Sequence, residues 1–137
     1  MTATVDPERE QIERLAAGDP DAGPILMLNL LRFRDRAAAV DGDESLTGRE
    51  AYERYAGGVA SHLAAAGGRI VSAGECAEVV IGPEGEWDLV ALVEYPSRRA
   101  FLTMIGDPGY QAIARWRTAA LTDSRLILCT APPARSA

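Results

Sequence analysis

The stretch ILMLNLLRF, residues 25–33, decides the fold. It is too short for an independent helix and lies between Pro24 and the charged residues 34–36, so it predicts a buried strand. Apolar side chains fill both alternating sets of positions, which is typical of a strand that is covered on two faces. The run LVALV, residues 89–93, has the same character. We therefore expect these two strands to lie at the centre of a sheet.

The segments around them predict an ordered series of elements. Asp6 and Pro7 open a helix that ends near Gly18, and a capping box of Thr47 and Glu50 opens another. The predicted helices cover 7–18, 47–67, 97–105 and 107–121, and the predicted strands cover 25–33, 69–82, 87–95 and 124–130, with a hairpin turn at 82–86. After an extra N-terminal helix, this order is the ferredoxin-like βαββαβ pattern, an α+β fold with an antiparallel sheet.

The topology agrees with the distribution of apolar residues. In this fold the first and third strands are central, and these are the two strands that are apolar on both faces. Helices cover only one face of such a sheet, so an apolar second face predicts an interface. We expect a homodimer in which the sheets of two copies pack face to face. The whole chain, 1–137, is predicted to be one domain, with a core of about 24–130, an N-terminal helix and loop at 1–23 and a tail at 131–137.

Composition excludes several classes of partner. The net charge is −6, so the chain has no basic field for a nucleic acid or an anionic membrane. No run approaches the ~18 apolar residues of a membrane span, and the N-terminus has no secretory pattern. We expect a cytoplasmic protein with Cys76 and Cys129 reduced and on opposite edges of the sheet. All 14 basic residues are arginines, which excludes Schiff-base chemistry on lysine.

A family resemblance is carried by four blocks: MLNLLRF, YERYAGGVASHLAAAGGRIV, IGPEGEWDLVALVEYPSRRAFLTMIGDPGYQAIARWRTAAL and DSRLI. Together they resemble the family catalogued as domain of unknown function 1330, in the dimeric α/β-barrel superfamily. The resemblance covers about residues 24–130, and VALVEYPSRRAF and YQAIARWRTAALTDSRL are its most specific parts. It implies the fold and the dimer but no activity. The wider superfamily includes cofactor-free monooxygenases, lactone isomerases, polyketide-tailoring enzymes and heme-binding enzymes. Because one fold carries so many activities, the resemblance does not select one of them.

Arg117 is the first candidate site residue. At 100° per residue it falls at the centre of an apolar face of the last helix, and Arg115 points the opposite way. A guanidinium stays protonated and is costly to bury alone. Arg117 is therefore expected to meet either an internal acid, for which Asp123, Asp88 and Glu94 are the candidates, or an anionic substrate group.

His62 and two tyrosines form the second candidate group. Tyr52, Tyr55 and His62 share one face of the long helix by the same spacing. His62, the only histidine in the chain, and Tyr55 are the predicted catalytic residues, since a histidine exchanges protons near neutral pH and a tyrosine hydroxyl donates them. The alternative is a core histidine that is satisfied by hydrogen bonds.

Three further residues complete the predicted binding set. Asn29 is the one polar side chain inside ILMLNLL, and a buried amide needs a hydrogen-bond partner, either in the protein or on a substrate. Tyr52 would line the same pocket. Trp87 either lines it or closes the hairpin end.

Two classes of function follow from these residues. In the first, the dimer binds an anionic or carbonyl-bearing metabolite and performs cofactor-independent isomerisation, cyclisation or oxygenation. In the second, it is a non-catalytic binding or structural dimer with Arg117 neutralised internally. The sequence has no dinucleotide or phosphate-loop motif, no CxxC and no second histidine, so neither a metal nor a cofactor is expected. Heme held by His62 is the remaining alternative.

Overall fold

The computed structural model describes residues 2–130. The bounds of its helices and strands follow the predicted order: α1 (Arg9–Ala17), β1 (Ile25–Phe33), α2 (Gly48–Ala65), β2 (Arg69–Glu75), β3 (Leu89–Tyr95), α3 (Arg98–Gly106), α4 (Pro108–Ala120) and β4 (Leu121–Cys129). The predicted tail at 131–137 lies outside the described residues.

The four strands form one antiparallel sheet in the order β2-β3-β1-β4. The two doubly apolar strands, β1 and β3, are the central pair, as predicted. Asn29 lies opposite Ala91 on β3 and opposite Leu126 on β4, which fixes the register on both sides of β1. This is the ferredoxin-like arrangement that the sequence predicted.

The helices cover one face of the sheet. Met27 packs with Phe101 and Met104 in one core cluster, and Leu31 packs with Ala120 in a second. Strand alternation therefore assigns Met27, Asn29 and Leu31 to the helix side.

The alternate positions form the second face, which we call the open face: Leu26, Leu28, Leu30, Val90 and Leu92. These side chains are only half-buried, and none belongs to either core cluster of the described residues. The core clusters, which hold the contacts between helices and sheet, lie on the opposite face.

Local signals account for most helix ends. The Thr47 hydroxyl accepts from the Glu50 amide while the Glu50 carboxylate accepts from the Thr47 amide, as the capping box predicts. At α3 the Ser97 hydroxyl accepts from the Ala100 amide, and at α4 the Asp107 carboxylate accepts from the Gly109 amide. The first helix starts later than predicted, at Arg9, because Glu8 and Gln11 form a capping box of their own.

The segment after β2 differs from the prediction. The strand ends at Glu75 instead of continuing to 82, and residues 76–88 form an irregular loop instead of a short hairpin turn. One further backbone bond, from the Cys76 amide to the Asp88 carbonyl, extends the pairing. Beyond it Val80 and Ile81 are 88% and 96% exposed, so their apolar character, typical of a strand, is not used in pairing within the chain.

The two cysteines are free and lie toward opposite edges of the sheet, since Cys76 follows β2 and Cys129 lies in β4. This confirms the expected separation. None of the helices in the described part of the chain is long and apolar enough to cross a membrane.

Candidate functional site

A cleft of about 1130 Å³ lies between the helix side of β1 and β4 and the helices α1, α3 and α4. Its lining includes Asn29, Tyr55, Tyr110, Arg117, Ser124 and Leu126. The N-terminal arm, which we define as Thr4, Val5 and Asp6, borders one side of it. The lining therefore combines residues of the central strands β1 and β3, of the edge strand β4 and of the helices α1, α2, α3 and α4.

Arg117 lies half-buried in this cleft, on the inward side of α4. One of its terminal nitrogens donates to the Val5 carbonyl over 2.9 Å. Arg115 points outward and pairs with Asp41 over 2.8 Å, as the helical spacing predicted. Within residues 2–130 no carboxylate lies within 4.0 Å of the Arg117 guanidinium.

The three acids that were candidates for an internal partner are engaged elsewhere. Asp123 pairs with Arg125 over 2.7 Å, and Glu94 pairs with Arg69 over 3.2 Å. The Asp88 carboxylate accepts from the Phe33 amide over 2.8 Å. The internal neutralisation of Arg117 by one of these acids is therefore absent in this structure.

Two tyrosines of α2 and one tyrosine of α4 form a row of rings near Arg117. The Tyr52 and Tyr55 rings lie 5.4 Å apart, and the Tyr55 and Tyr110 hydroxyls lie 3.1 Å apart. Burial raises the pKa of Tyr55 well above its ordinary value, and the neighbouring Tyr110 adds to the shift. Burial also raises the pKa of Tyr52, although the charge of Arg117 opposes that shift. Both phenols therefore stay protonated at neutral pH and act as hydrogen-bond donors or acceptors, not as phenolates.

His62 lies at the other end of this row of rings. Its Nδ1 is 3.3 Å from the Asp107 carboxylate, and its ring stands edge-on to Tyr110 at 6.2 Å between centroids. It is not among the residues that line the cleft. The structure thus places Tyr55 in the cleft and His62 next to the N-terminus of α4, with Tyr110 between them.

The structure places the two remaining candidates, Asn29 and Trp87, in different surroundings. The Asn29 amide lines the cleft, and its one hydrogen bond within the described chain is a long contact of 3.4 Å to the Met27 carbonyl. Trp87 does not line the cleft: its indole N–H donates to Glu86, and the Arg125 guanidinium lies 5.0 Å from its ring centroid. Of the predicted set, Asn29, Tyr55 and Arg117 therefore share the cleft, whereas Tyr52, like His62 and Trp87, does not line it.

Three participants were not predicted as site residues. Tyr110 shares the helical face of Arg117, so its spacing was a usable signal. Leu126 gave no signal, because its exposure depends on what covers the edge strand. The Val5 carbonyl is a backbone group, whose contact no side-chain pattern predicts.

The cleft has a positive lining in an acidic chain. Arg14, Arg98, Arg117 and Arg125 line it together with Asp6 and Glu8, and Arg125 is paired with Asp123, so the lining keeps a small excess of positive charge in a chain whose net charge is −6. No group of three histidine, cysteine, aspartate or glutamate side chains suited to a metal ion occurs among residues 2–130. The charge of the lining is suited to an anion.

Comparison with known proteins gives a consistent result for the fold. The model of the family described as "Domain of unknown function (DUF1330)" matches residues 42–131. A crystal structure of a protein of unknown function from Rhodopseudomonas palustris is 41% identical over 96% of this chain and 100% of that one, with a TM-score of 0.87. A methylated form of that protein gives 43% identity over 98% and 100%, with a TM-score of 0.89.

A more distant likeness is to a hypothetical protein of Arabidopsis thaliana, whose solution structure is 17% identical over 89% of this chain and 99% of that one, with a TM-score of 0.53. This likeness shows the fold alone. No curated protein gives a significant match.

Proposed function

The chain belongs to the DUF1330 family, and we propose that its cleft binds a small organic molecule with an anionic or carbonyl group, anchored by Arg117. The observation that carries the proposal is the state of Arg117: a permanently charged guanidinium in a cleft, with a backbone carbonyl as its partner and no acid within 4.0 Å among residues 2–130. A planar guanidinium has five N–H donors, of which the Val5 carbonyl engages one nitrogen. The remaining donors are suited to a carboxylate or enolate oxygen.

Two neighbours extend the recognition. The Asn29 amide makes only a long contact within the described chain, so it retains donor and acceptor capacity for a ligand oxygen. The Tyr55 hydroxyl meets Tyr110 and, since burial keeps it neutral, can donate to a ligand anion. Arg117, Asn29 and Tyr55 thus supply charge, an amide and a hydroxyl to one cavity.

A catalytic function is the second candidate. The geometry favours Tyr55 over His62 as the proton donor, because Tyr55 lines the cleft and His62 does not. With its raised pKa, Tyr55 would protonate a strongly basic enolate or hold it by a hydrogen bond, and would not act as a base near neutral pH. Its role is therefore confined to holding or protonating an enolate that another base has formed, which is the second half of a cofactor-independent isomerisation or cyclisation.

The proposal includes no metal and no heme. A heme ligand would have to come from the cleft lining, and His62 instead lies outside it with Nδ1 against Asp107. The free thiols of Cys76 and Cys129 are in keeping with a reducing, cytoplasmic location.

The test of the binding function is a matched pair of arginine variants. Isothermal titration with a panel of small carboxylates and their neutral amides compares the wild type with Arg117→Gln and with Arg115→Gln, in which an outward arginine of the same helix is removed. We expect carboxylates to bind the wild type and Arg115→Gln equally, and Arg117→Gln at least tenfold more weakly. Equal affinity of Arg117→Gln would overturn the proposal.

We also propose that two copies pair through the open face. Leu26, Leu28, Leu30, Val90 and Leu92 present a continuous apolar surface at the centre of the sheet, which a monomer would leave wet. A second copy supplies the same apolar surface, and two-fold pairing makes the contact self-complementary.

Light scattering after gel filtration tests the pairing. We expect a dimer for the wild type and for the outward helix variant Ala56→Glu, and a monomer for Leu28→Glu. Leu28→Gln is a milder change at the same position. It serves as the second variant in case Leu28→Glu loses the dimer because it misfolds. A wild-type monomer at micromolar concentration would contradict the dimer and leave the cleft proposal standing.

A further inference from the structure

Leu126 is more exposed than a leucine on the helix side of the sheet is expected to be. It lies opposite Asn29 on the helix side of β4, between Ser124 and Leu128 on the same face. Ser124 is only 5% exposed, whereas Leu126 is 46% exposed. An apolar side chain that faces the helices and remains half uncovered is part of the cleft wall.

The cleft changes character along β4. At the Ser124 end, the Ser124 hydroxyl and the Arg117 guanidinium both donate to the Val5 carbonyl, over 3.3 and 2.9 Å. At the other end, Leu128 packs against the core cluster that contains Met27, Phe101 and Met104. A polar, cationic end is therefore followed by an apolar wall.

The distance between the two ends sets the size of the ligand. Ser124 and Leu128 are four residues apart on one strand, which corresponds to roughly 13 Å at the usual rise. Leu126 lies midway between them and is the most exposed of the three residues. A ligand that bridges the two ends needs an elongated apolar part.

We infer that the ligand is an amphipathic carboxylate with an aliphatic chain, its carboxylate on Arg117 and its chain along Leu126 toward Leu128. The inference rests on the proposed function and adds the chemical class of the ligand. Arg117, which meets no acid among residues 2–130, favours the anionic head, and the aliphatic side chains along β4, Leu126 and Leu128 next to Met27, favour an aliphatic tail.

A homologous series tests the class of ligand. Isothermal titration of the full chain with acetate, hexanoate, octanoate and decanoate, all below their micelle-forming concentrations, measures the contribution of chain length. Benzoate and 2-naphthoate test aromatic anions, and decanol tests the head group. We expect the affinity to rise by up to about fourfold per buried methylene and then level off when the chain fills the cleft. Decanol should bind at least tenfold more weakly than decanoate.

Variants at Leu126 locate the chain. Leu126→Trp should shorten the chain length at which the affinity levels off, and Leu126→Ser should weaken decanoate severalfold while leaving acetate unchanged. Ile70→Trp and Ile70→Ser are the matched controls, because Ile70 is an exposed apolar residue on the other edge strand and does not line the cleft. Both should keep the wild-type profile.

The outcomes separate the ligand class from the proposed function. If aromatic anions bind more tightly than octanoate and decanoate, and depend on Arg117, the aliphatic class is overturned and the anion site stands. A chain-length profile that Leu126→Trp and Leu126→Ser both leave unchanged overturns the placement of the tail. If none of these anions binds, or Arg117→Gln binds them as the wild type does, both the class and the proposed function are wrong.

Discussion

The Arg117 guanidinium and the Val5 carbonyl are joined by a hydrogen bond of 2.9 Å, so the arginine at the centre of the inward face of α4 also holds the N-terminal arm. Val5 contributes a neutral acceptor, and the charge of Arg117 is left for another group. A ligand carboxylate would share this guanidinium with the arm. Binding of such a ligand would therefore be connected to the placement of the arm through one side chain.

Arg117→Met should cost little stability. Loss of the bond to Val5 removes about 1 kcal/mol, whereas breaking a buried ion pair would cost about 3–5 kcal/mol, because it leaves an acid unpaired. Urea denaturation of the wild type, Arg117→Met and the outward control Arg115→Met measures the difference. A loss above 3 kcal/mol for Arg117→Met would show that the arginine neutralises an internal acid after all.

Two adjacent glycines of α2 should respond in opposite directions to alanine. A Cβ at Gly58 would lie 2.9 Å from Ile113 Cγ2 on α4, whereas a Cβ at Gly57 would meet nothing within 4 Å. We expect Gly58→Ala to lower the free energy of unfolding by about 1–3 kcal/mol, and Gly57→Ala to raise it by about 0.5–1 kcal/mol. Thermal and urea unfolding check both. Equal effects would mean that the contact between α2 and α4 is looser than described.

Asp123 should make stability depend on acid pH. The bond from the Thr4 amide, and next the neighbouring Arg125, lower the pKa of this carboxyl from 3.8. Because the folded-state pKa is below the unfolded one, the contribution is complete above about pH 4 and is lost as the pH falls through the lowered pKa.

Asp123→Asn tests this contribution. The variant should lose stability on the order of 1 kcal/mol at neutral pH, and its difference from the wild type should vanish in strong acid. Urea unfolding from pH 2 to pH 7 gives the profile, with Asp41→Asn as an exposed ion-pair control. A difference that persists undiminished at pH 2 would contradict the assignment.

The buried tyrosines should destabilise the fold in alkali. Burial raises the pKa of Tyr52, Tyr55 and Tyr95 above the ordinary 10.0, so these phenols keep their protons in the folded chain after the unfolded chain has lost them. Stability is therefore complete below about pH 10 and falls as the pH rises above it.

Tyr55→Phe tests how much the Tyr55 hydroxyl contributes to stability at neutral pH and to its loss in alkali. At pH 7 the variant loses about 1 kcal/mol with the bond to Tyr110, and this deficit should narrow above pH 10, because phenylalanine has no proton to lose. Phenolate absorbance and circular dichroism, recorded together from pH 8 to pH 12, give both signals. Full ionisation of all four tyrosines before any loss of helix would contradict the buried assignment.

The fold was largely predictable because its signals are local or periodic. The caps at Thr47, Ser97 and Asp107 specify helix starts within a few residues, and the doubly apolar runs identify the central strands. The loop at 76–88 was mispredicted because Val79, Val80 and Ile81 have strand character, while pairing needs a partner strand that no local pattern reveals.

The site was predictable only in part. Helical spacing oriented Arg117 and Tyr55 inward, and strand parity did the same for Asn29. Whether an inward group meets an acid, a backbone carbonyl or open space depends on contacts between distant segments, such as Val5 with Ser124 and Arg117. His62 shares the spacing of Tyr55, but the position of α4 takes it to Asp107 instead of into the cleft.

The two thiols lie at places where a fluorescent label can report on two different parts of the chain. Cys129 lies opposite Leu26, at a position of the open face, whereas Cys76 lies beyond the end of the opposite edge strand. A pyrene attached at Cys129 would show excimer emission where two sheets meet, and one at Cys76 would record local changes in the 76–88 loop. With the other cysteine replaced by serine in each case, each label reports on one of these two places alone, and no new cysteine is needed.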